Sequence, residues 1–164
     1  MKKSAGFTLI ELVIVIVILG ILGAVAAPRF INMQGDAYEA NVKALNGSIQ
    51  SAMTLANTKA ILGGYDNVAG PAPTGDDLAG VSFAHGFPTA DAAGIIAMLQ
   101  DTESFVSEGE DGKASDKAYT YSTGTGTLTI YPSARYNNVT CKVEYTAAKN
   151  KNTPATVKAI TGGC

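Results

Sequence analysis

The stretch from Phe7 to Ala27 constrains this chain most: 21 residues, all uncharged except Glu11. As a helix it is about 31 Å long at 1.5 Å per residue. That matches a bilayer's hydrocarbon core of about 30 Å. The expectation is a membrane-spanning helix with one carboxylate near its start. An ordinary signal peptide is the first rival, because Lys2 and Lys3 give a basic start and Ala24-Val25-Ala26 imitates a cleavage site. A signal peptide gains nothing from an acid inside its apolar run, whereas an acid kept there points to a function and a partner.

Cleavage between Gly6 and Phe7 would supply that partner. A free amine at Phe7 would lie one helical turn before Glu11, and the two charges would relieve each other's burial in a low dielectric. In parallel helices staggered along an axis, the amine of an incoming chain could meet the Glu11 of a resident chain. An unpaired Glu11 would then favour docking of the next subunit, and the helix would become the core of a polymer.

Gly6-Phe7-Thr8-Leu9-Ile10-Glu11, after a short leader with two lysines, resembles the class III signal of type IV pilins and type II secretion pseudopilins. The resemblance implies a prepilin peptidase that cuts after Gly6 and N-methylates Phe7, and it makes Glu11 the assembly glutamate. Gly20 and Pro28 fall where that family has a helix-loosening glycine and a kink proline. Two readings of 20–28 stand: a segment that melts and extends when subunits pack, or a fixed kink. Ala27-Pro28-Arg29-Phe30-Ile31-Asn32, Gly47-Ser48-Ile49-Gln50, Gly86-Phe87-Pro88 and Ala93-Gly94-Ile95 are similar to the mannose-sensitive hemagglutinin (MSHA) branch of type IVa pilins. Phe87 stands where that branch leads one to expect Tyr.

The implied organisation is a leader (1–6), a transmembrane or filament-core helix (7–28) and a periplasmic, later extracellular, head (29–164). The expected fold is α+β: one long N-terminal helix packed on a C-terminal antiparallel sheet of about four strands. From Arg29 to about Ile61, Phe30, Tyr38, Val42, Leu45, Ile49, Ala52 or Met53, and Ala56 recur at helical spacing and should face the sheet. Glu39 and Lys43 make a favourable i, i+4 pair off that stripe. Gly63-Gly64 is a helix-stop signal. Gly64–Gly80 reads as a long connection. Thr89 or Asp91 should cap a short helix to about Gln100, with Ile95, Ile96 and Leu99 on its apolar side.

Residues 118–123 and 127–131 flank Gly124-Thr125-Gly126 as a hairpin, and residues 139–145 and 156–160 alternate as two further strands. In a protein that leaves the cytoplasm, Cys141 and Cys164 suggest one disulfide. In pilins the equivalent bridge borders an exposed region often used for adhesion.

The net charge of −2 gives no basic face for nucleic acid. His85 has no cysteine or carboxylate cluster at ligand spacing, so it reads as a surface or structural histidine. Glu108, Glu110, Asp111 and Asp116 could offer oxygens to Ca²⁺, but without EF-hand order they read better as a solvated acidic loop. No phosphate loop or catalytic triad is legible, and no cofactor or metal is expected; the chain reads as structural, not enzymatic. Residues 62–116 hold ten acids and one base, and residues 117–164 six bases and one acid. That asymmetry suggests salt-sensitive contacts between neighbouring heads, in which Lys142 and Lys158 would take part.

The resulting expectation is a pilus subunit for surface attachment and biofilm formation. Its partners would be copies of itself, the prepilin peptidase, an assembly ATPase, an inner-membrane platform, an outer-membrane secretin and a surface glycan receptor. Alternatives are a secretion pseudopilin, a sugar-binding adhesin using Tyr65, Phe87 and Tyr136, and a membrane-anchored monomer, which leaves Glu11 unexplained.

Overall fold

A computed structural model describes residues 7–75, 77–109, 117–133 and 138–164, with the side chains of 26–32 left out. The leader with Gly6, most of the acidic loop (Glu110, Asp111, Asp116) and Tyr136 therefore lie outside the described residues, as does the Pro28 side chain. The chain divides into two compact units, 1–37 and 38–164. The first is the start of α1 (Leu9–Gly63), whose backbone is helical through Gly20 and Pro28.

In the second unit α1 presents the expected stripe. Val42, Leu45, Ile49, Ala52 and Ala56 are buried, and Ala60 extends the row by one more turn. Tyr38 and Met53 pack at its margin. The helix ends where the glycines predict. Gly64 takes φ 71°, Tyr65 N–H donates to the Ala60 carbonyl at 3.0 Å, and Gly64 N–H donates to the Ile61 carbonyl at 3.2 Å. This paired arrangement is a Schellman cap, which satisfies carbonyls the helix would otherwise leave open.

A five-stranded sheet covers the stripe, in the order β4 (Phe105–Ser107), β5 (Tyr119–Gly124), β6 (Thr127–Pro132), β7 (Lys142–Thr146) and β8 (Thr156–Ile160). Leu128, Ile130, Val143 and Tyr145 meet the α1 stripe in the main core. The β5–β6 hairpin forms with Gly124 opposite Thr127 and Gly126 at φ 71° in the turn. The fold is thus α+β, as the pilin resemblance implies.

Four local expectations are corrected. The sheet has five strands, not about four, because β4 adds to β5 in parallel. β4 is three residues long and its partner is distant in sequence, so no local alternation announces it. The connection after α1 contains β1 (Gly70–Pro71), β2 (Ser82–Ala84) and β3 (Phe87–Pro88), a small antiparallel sheet. Ala56, Ala60, Tyr65, Ala72, Val81 and Phe83 form a second core cluster there.

Residues 89–100 form turns and one 3-10 turn (Ile96–Met98) in place of an α-helix. The Asp91 side chain accepts from Gly94 N–H at 2.7 Å and from the Thr89 hydroxyl at 2.9 Å, but it closes a turn and caps no helix; the 3-10 turn begins after Ile95 without a side-chain cap. The chain then folds back so tightly that a Cβ on Gly94 would lie 2.2 Å from the Thr89 carbonyl oxygen. Ile95 and Ile96 are nevertheless buried as their apolar character demands. The strand expected from Val139 starts at Lys142, because Asn138 turns the preceding residues: its side chain accepts from Thr140 N–H at 3.0 Å.

Candidate functional site

The first site is the start of α1. Thr8 precedes the first helical residue, Leu9. The Glu11 Oε2 accepts from Thr8 N–H at 2.8 Å and from the Thr8 hydroxyl at 2.8 Å. Glu11 N–H donates back to Thr8 Oγ1 at 3.3 Å. This reciprocal arrangement is a capping box, satisfying two backbone donors that a helix start leaves open. Glu11 is thus engaged by its own chain before any second chain is considered. The signal lies in Thr8-Leu9-Ile10-Glu11, a Thr-x-x-Glu spacing ahead of an apolar run that engages the Glu11 carboxylate locally, without a charged partner.

Beyond the cap the helix is apolar on every side and buries none of it. Exposure of the large apolar residues runs from 42% at Val13 to 94% at Phe7, and covers all of them through Val25. A helix apolar all round is stable only when lipid or protein surrounds it. Among the described residues no helix is long and apolar enough to cross a membrane; the stretch with described side chains ends at Val25, short of the sequence run to Ala27. Gly20 and Gly23 have open space where a Cβ would stand.

Residues 1–27 match the family described as the prokaryotic N-terminal methylation motif. The chain carries that motif. Gly6, Phe7, Glu11 and Gly20 all fall inside the match, and Pro28 is the first residue after it. The chain is also similar to the type IV narrow pilus major component PilA5 of Thermus thermophilus, 50% identical over 58 residues. The match takes in 35% of this chain and 50% of the relative, so the chain spans about half the length of the curated relative it matches. No solved structure matches the chain.

The second site is the C-terminal end. Cys141 and Cys164 are joined by a disulfide. Gly163 N–H donates to the Thr140 carbonyl at 2.9 Å, and the Asn138 side-chain amide donates to the Gly163 carbonyl at 2.8 Å. A covalent bond and two hydrogen bonds thus fasten the tail to the turn before β7. Cys141 is fully buried, while Val139 beside it is 70% exposed.

The remaining sequence-stretch candidates find structural places. His85 and Gly86 form the turn between β2 and β3, with φ 53° and 79° and Ala84 opposite Phe87. Two successive positive φ values between paired strands make a type I′ turn. The Gly86 carbonyl accepts from the Asn57 amide at 2.9 Å. Tyr65 is only 5% exposed and stacks edge-on against Phe83, ring centres 5.3 Å apart. Phe87 packs against the main core. Tyr65 thus belongs to the core, Phe87 is half-buried, and Tyr136 lies outside the described residues. No group of three His, Cys, Asp or Glu positioned for a metal occurs among the described residues.

Proposed function

We propose that this chain is a structural subunit of a type IV pilus of the MSHA type, and not an enzyme. The observation that carries the reading is the methylation motif leading directly into a helix whose large apolar residues are exposed from Phe7 to Val25. Such a surface needs cover on all sides, and parallel copies of the same helix provide it while keeping each head outside.

In this reading the prepilin peptidase cuts after Gly6 and methylates Phe7. The new α-amine competes with Thr8 for the Glu11 carboxylate, so that the capping box holds Glu11 before docking and an incoming amine takes it afterwards. Residues 7–28 hold the precursor in the inner membrane with the head in the periplasm, and later form the filament core. Gly20 and Pro28 loosen the helix during that transfer. An ATPase, a platform protein and a secretin supply the work and the exit path. The Cys141–Cys164 region lies on the exposed side, where a surface glycan would be met during attachment and biofilm formation. The similarity to the PilA5 major component supports a pilus over a pseudopilus, and the Gly86-Phe87-Pro88 and Ala93-Gly94-Ile95 segments support the MSHA branch.

Mass spectrometry of sheared surface material from the native bacterium tests this. The expected result is an abundant chain starting at N-methyl-Phe7 and carrying one disulfide. A processed chain confined to the inner membrane would favour a pseudopilin. An intact Met1, or cleavage near Ala26, would overturn the reading.

A further inference from the structure

Between Ala44 and Leu62 an exposed face of α1 carries a seam of its own. Ala44, Ser48, Ser51, Leu55, Thr58 and Leu62 follow one another at steps of four and three residues, and all are exposed. Such steps average about 3.5 residues, the spacing that keeps one stripe of a helix turned toward a partner helix. The seam is separate from the stripe of Leu45, Ala52 and Ala56, which is buried in the head. Single exposed leucines need no explanation. Here Leu55 is 53% exposed and Leu62 83%, and they share a seam without a charged residue. Met98 and Leu99 line a groove along its middle.

The polar atoms of this seam ask nothing of a partner. The hydroxyls of Ser48, Ser51 and Thr58 donate to the carbonyls of Ala44, Gly47 and Thr54 at 3.2, 3.0 and 2.9 Å. These donors stay satisfied inside the helix, so an apolar surface can cover them without stranding one. Short side chains also let a second helix approach closely and leave room for its larger ones.

The chain itself supplies such a helix. From Leu12 to Val25 it is uncharged, and every Val, Ile and Leu in that run is exposed. The run is about 21 Å long and the seam about 28 Å, at about 1.5 Å per residue, so the run fits within the seam. A strip of that length and about 10 Å wide, covered on both partners, comes to roughly 400 Å², against about 1,200 Å² for a stable pair. One such contact is too small to hold a dimer. A helix apolar on every side needs several neighbours at once, which selects a second copy within a polymer over an isolated partner.

We infer that the Ala44–Leu62 seam of one copy receives the Leu12–Val25 helix of a second copy, whose large side chains seat over Ser48 and Ser51. The inference rests on the filament reading and adds to it the face of the head that meets a neighbour's core helix. The contact is heterologous, and such contacts propagate into open helical filaments unless the rotation closes.

Cysteine pairs in the full-length chain, assembled in its native host, test this. The native cysteines are already joined to each other, so an added thiol meets only another added one. Ser51→Cys is combined with a cysteine at each position in turn from Leu12 to Val25. Filaments are sheared, oxidised and separated without reductant. Ser51→Cys should give a ladder of covalent multimers with positions on one face of the run. Gln50→Cys, one residue away and pointing off the seam, should give none in the same scan. Ser51→Leu overfills the seam and should lower filament yield about tenfold or more, while Ser51→Ala leaves it unchanged; circular dichroism of the detergent-solubilised precursors checks that each is folded. No ladder from Ser51→Cys, an equal ladder from Gln50→Cys, or undiminished filaments from Ser51→Leu overturns the inference and leaves the filament reading intact. A covalent dimer from Ser51→Cys alone, with no ladder, means that two seams meet each other and also overturns it. A wild-type chain that never polymerises overturns both.

Discussion

The buried hydroxyl of Tyr145 donates to the carbonyl of Pro88 at 2.7 Å, tying the third strand of the antiparallel run to the small sheet 57 residues earlier. Tyr145 is fully buried among the core side chains and Pro88 is almost as completely enclosed. Without this bond the Pro88 oxygen would have no water to turn to. Tyr145→Phe keeps the ring and strands that oxygen. Loss of about 1–3 kcal/mol is expected, the cost of an unsatisfied buried polar group, measured as the drop in unfolding free energy in urea.

The same hydroxyl predicts an alkaline limb. Burial first, and the Asp91 carboxylate second, push its pKa well above the ordinary value. Burial first, and Asp101 second, also raises the pKa of Tyr119. As pH rises, the unfolded chain releases these protons first, near pH 10. Stability from both groups is therefore complete below about pH 10 and declines as pH rises through the folded values. The thermal midpoint should fall above pH 10 in the wild type, and fall less steeply in Tyr145→Phe.

Gly163 should tolerate no side chain. A Cβ there would stand 1.9 Å from Thr140 Oγ1. Gly163→Ala must either displace Thr140 or pull Cys164 away from Cys141. Slower disulfide formation during refolding and a lower thermal midpoint are expected, whereas Gly162→Ala, with open space around its Cβ, should show neither. Free-thiol titration during refolding distinguishes the two.

Core and surface positions on α1 should separate cleanly. Ile49 is fully buried in the main core, while Leu62, on the same helix, is 83% exposed. Ile49→Ala should cost about 2–5 kcal/mol through lost transfer energy and the cavity left behind. Leu62→Ala should change stability by less than about 0.5 kcal/mol. Urea unfolding of the two variants checks the contrast.

The Thr8–Glu11 box predicts a fraying phenotype. Thr8→Ala removes the hydroxyl that accepts Glu11 N–H and supports its carboxylate. In micelles, amide exchange over residues 9–11 should quicken several-fold, with the second unit unaffected. Glu11→Gln keeps hydrogen-bonding oxygen but loses the charge. It should preserve most of the protection and still abolish assembly if an incoming amine is what Glu11 receives. Glu11→Ala should lose both.

Much of this architecture was legible because it is written in local spacing. The α1 stripe repeats every three or four residues from Val42 to Ala56, the Gly63-Gly64 stop lies in two adjacent residues, and the β5–β6 hairpin announces its turn with glycines. The Thr8–Glu11 cap was equally local, and its Thr-x-x-Glu spacing was available to be read. Thr89, Asp91 and Gly94 mark the limit of this kind of reading. Asp91 accepts the bonds a capping residue would, but only the packed chain shows that Gly94 lies against Thr89 and closes a turn where a helix would need room.

From the sequence alone came the apolar start with its single acid, the helical stripe, most of the strands and the two cysteines, because each depends on residue type and short-range period. Tertiary structure decided what depends on residues far apart: the parallel addition of β4, the small sheet made from an apparent loop, the Tyr145–Pro88 bond, and the burial of Tyr65. Strand order is set by which apolar faces close the core together, and no local pattern in the chain carries that information.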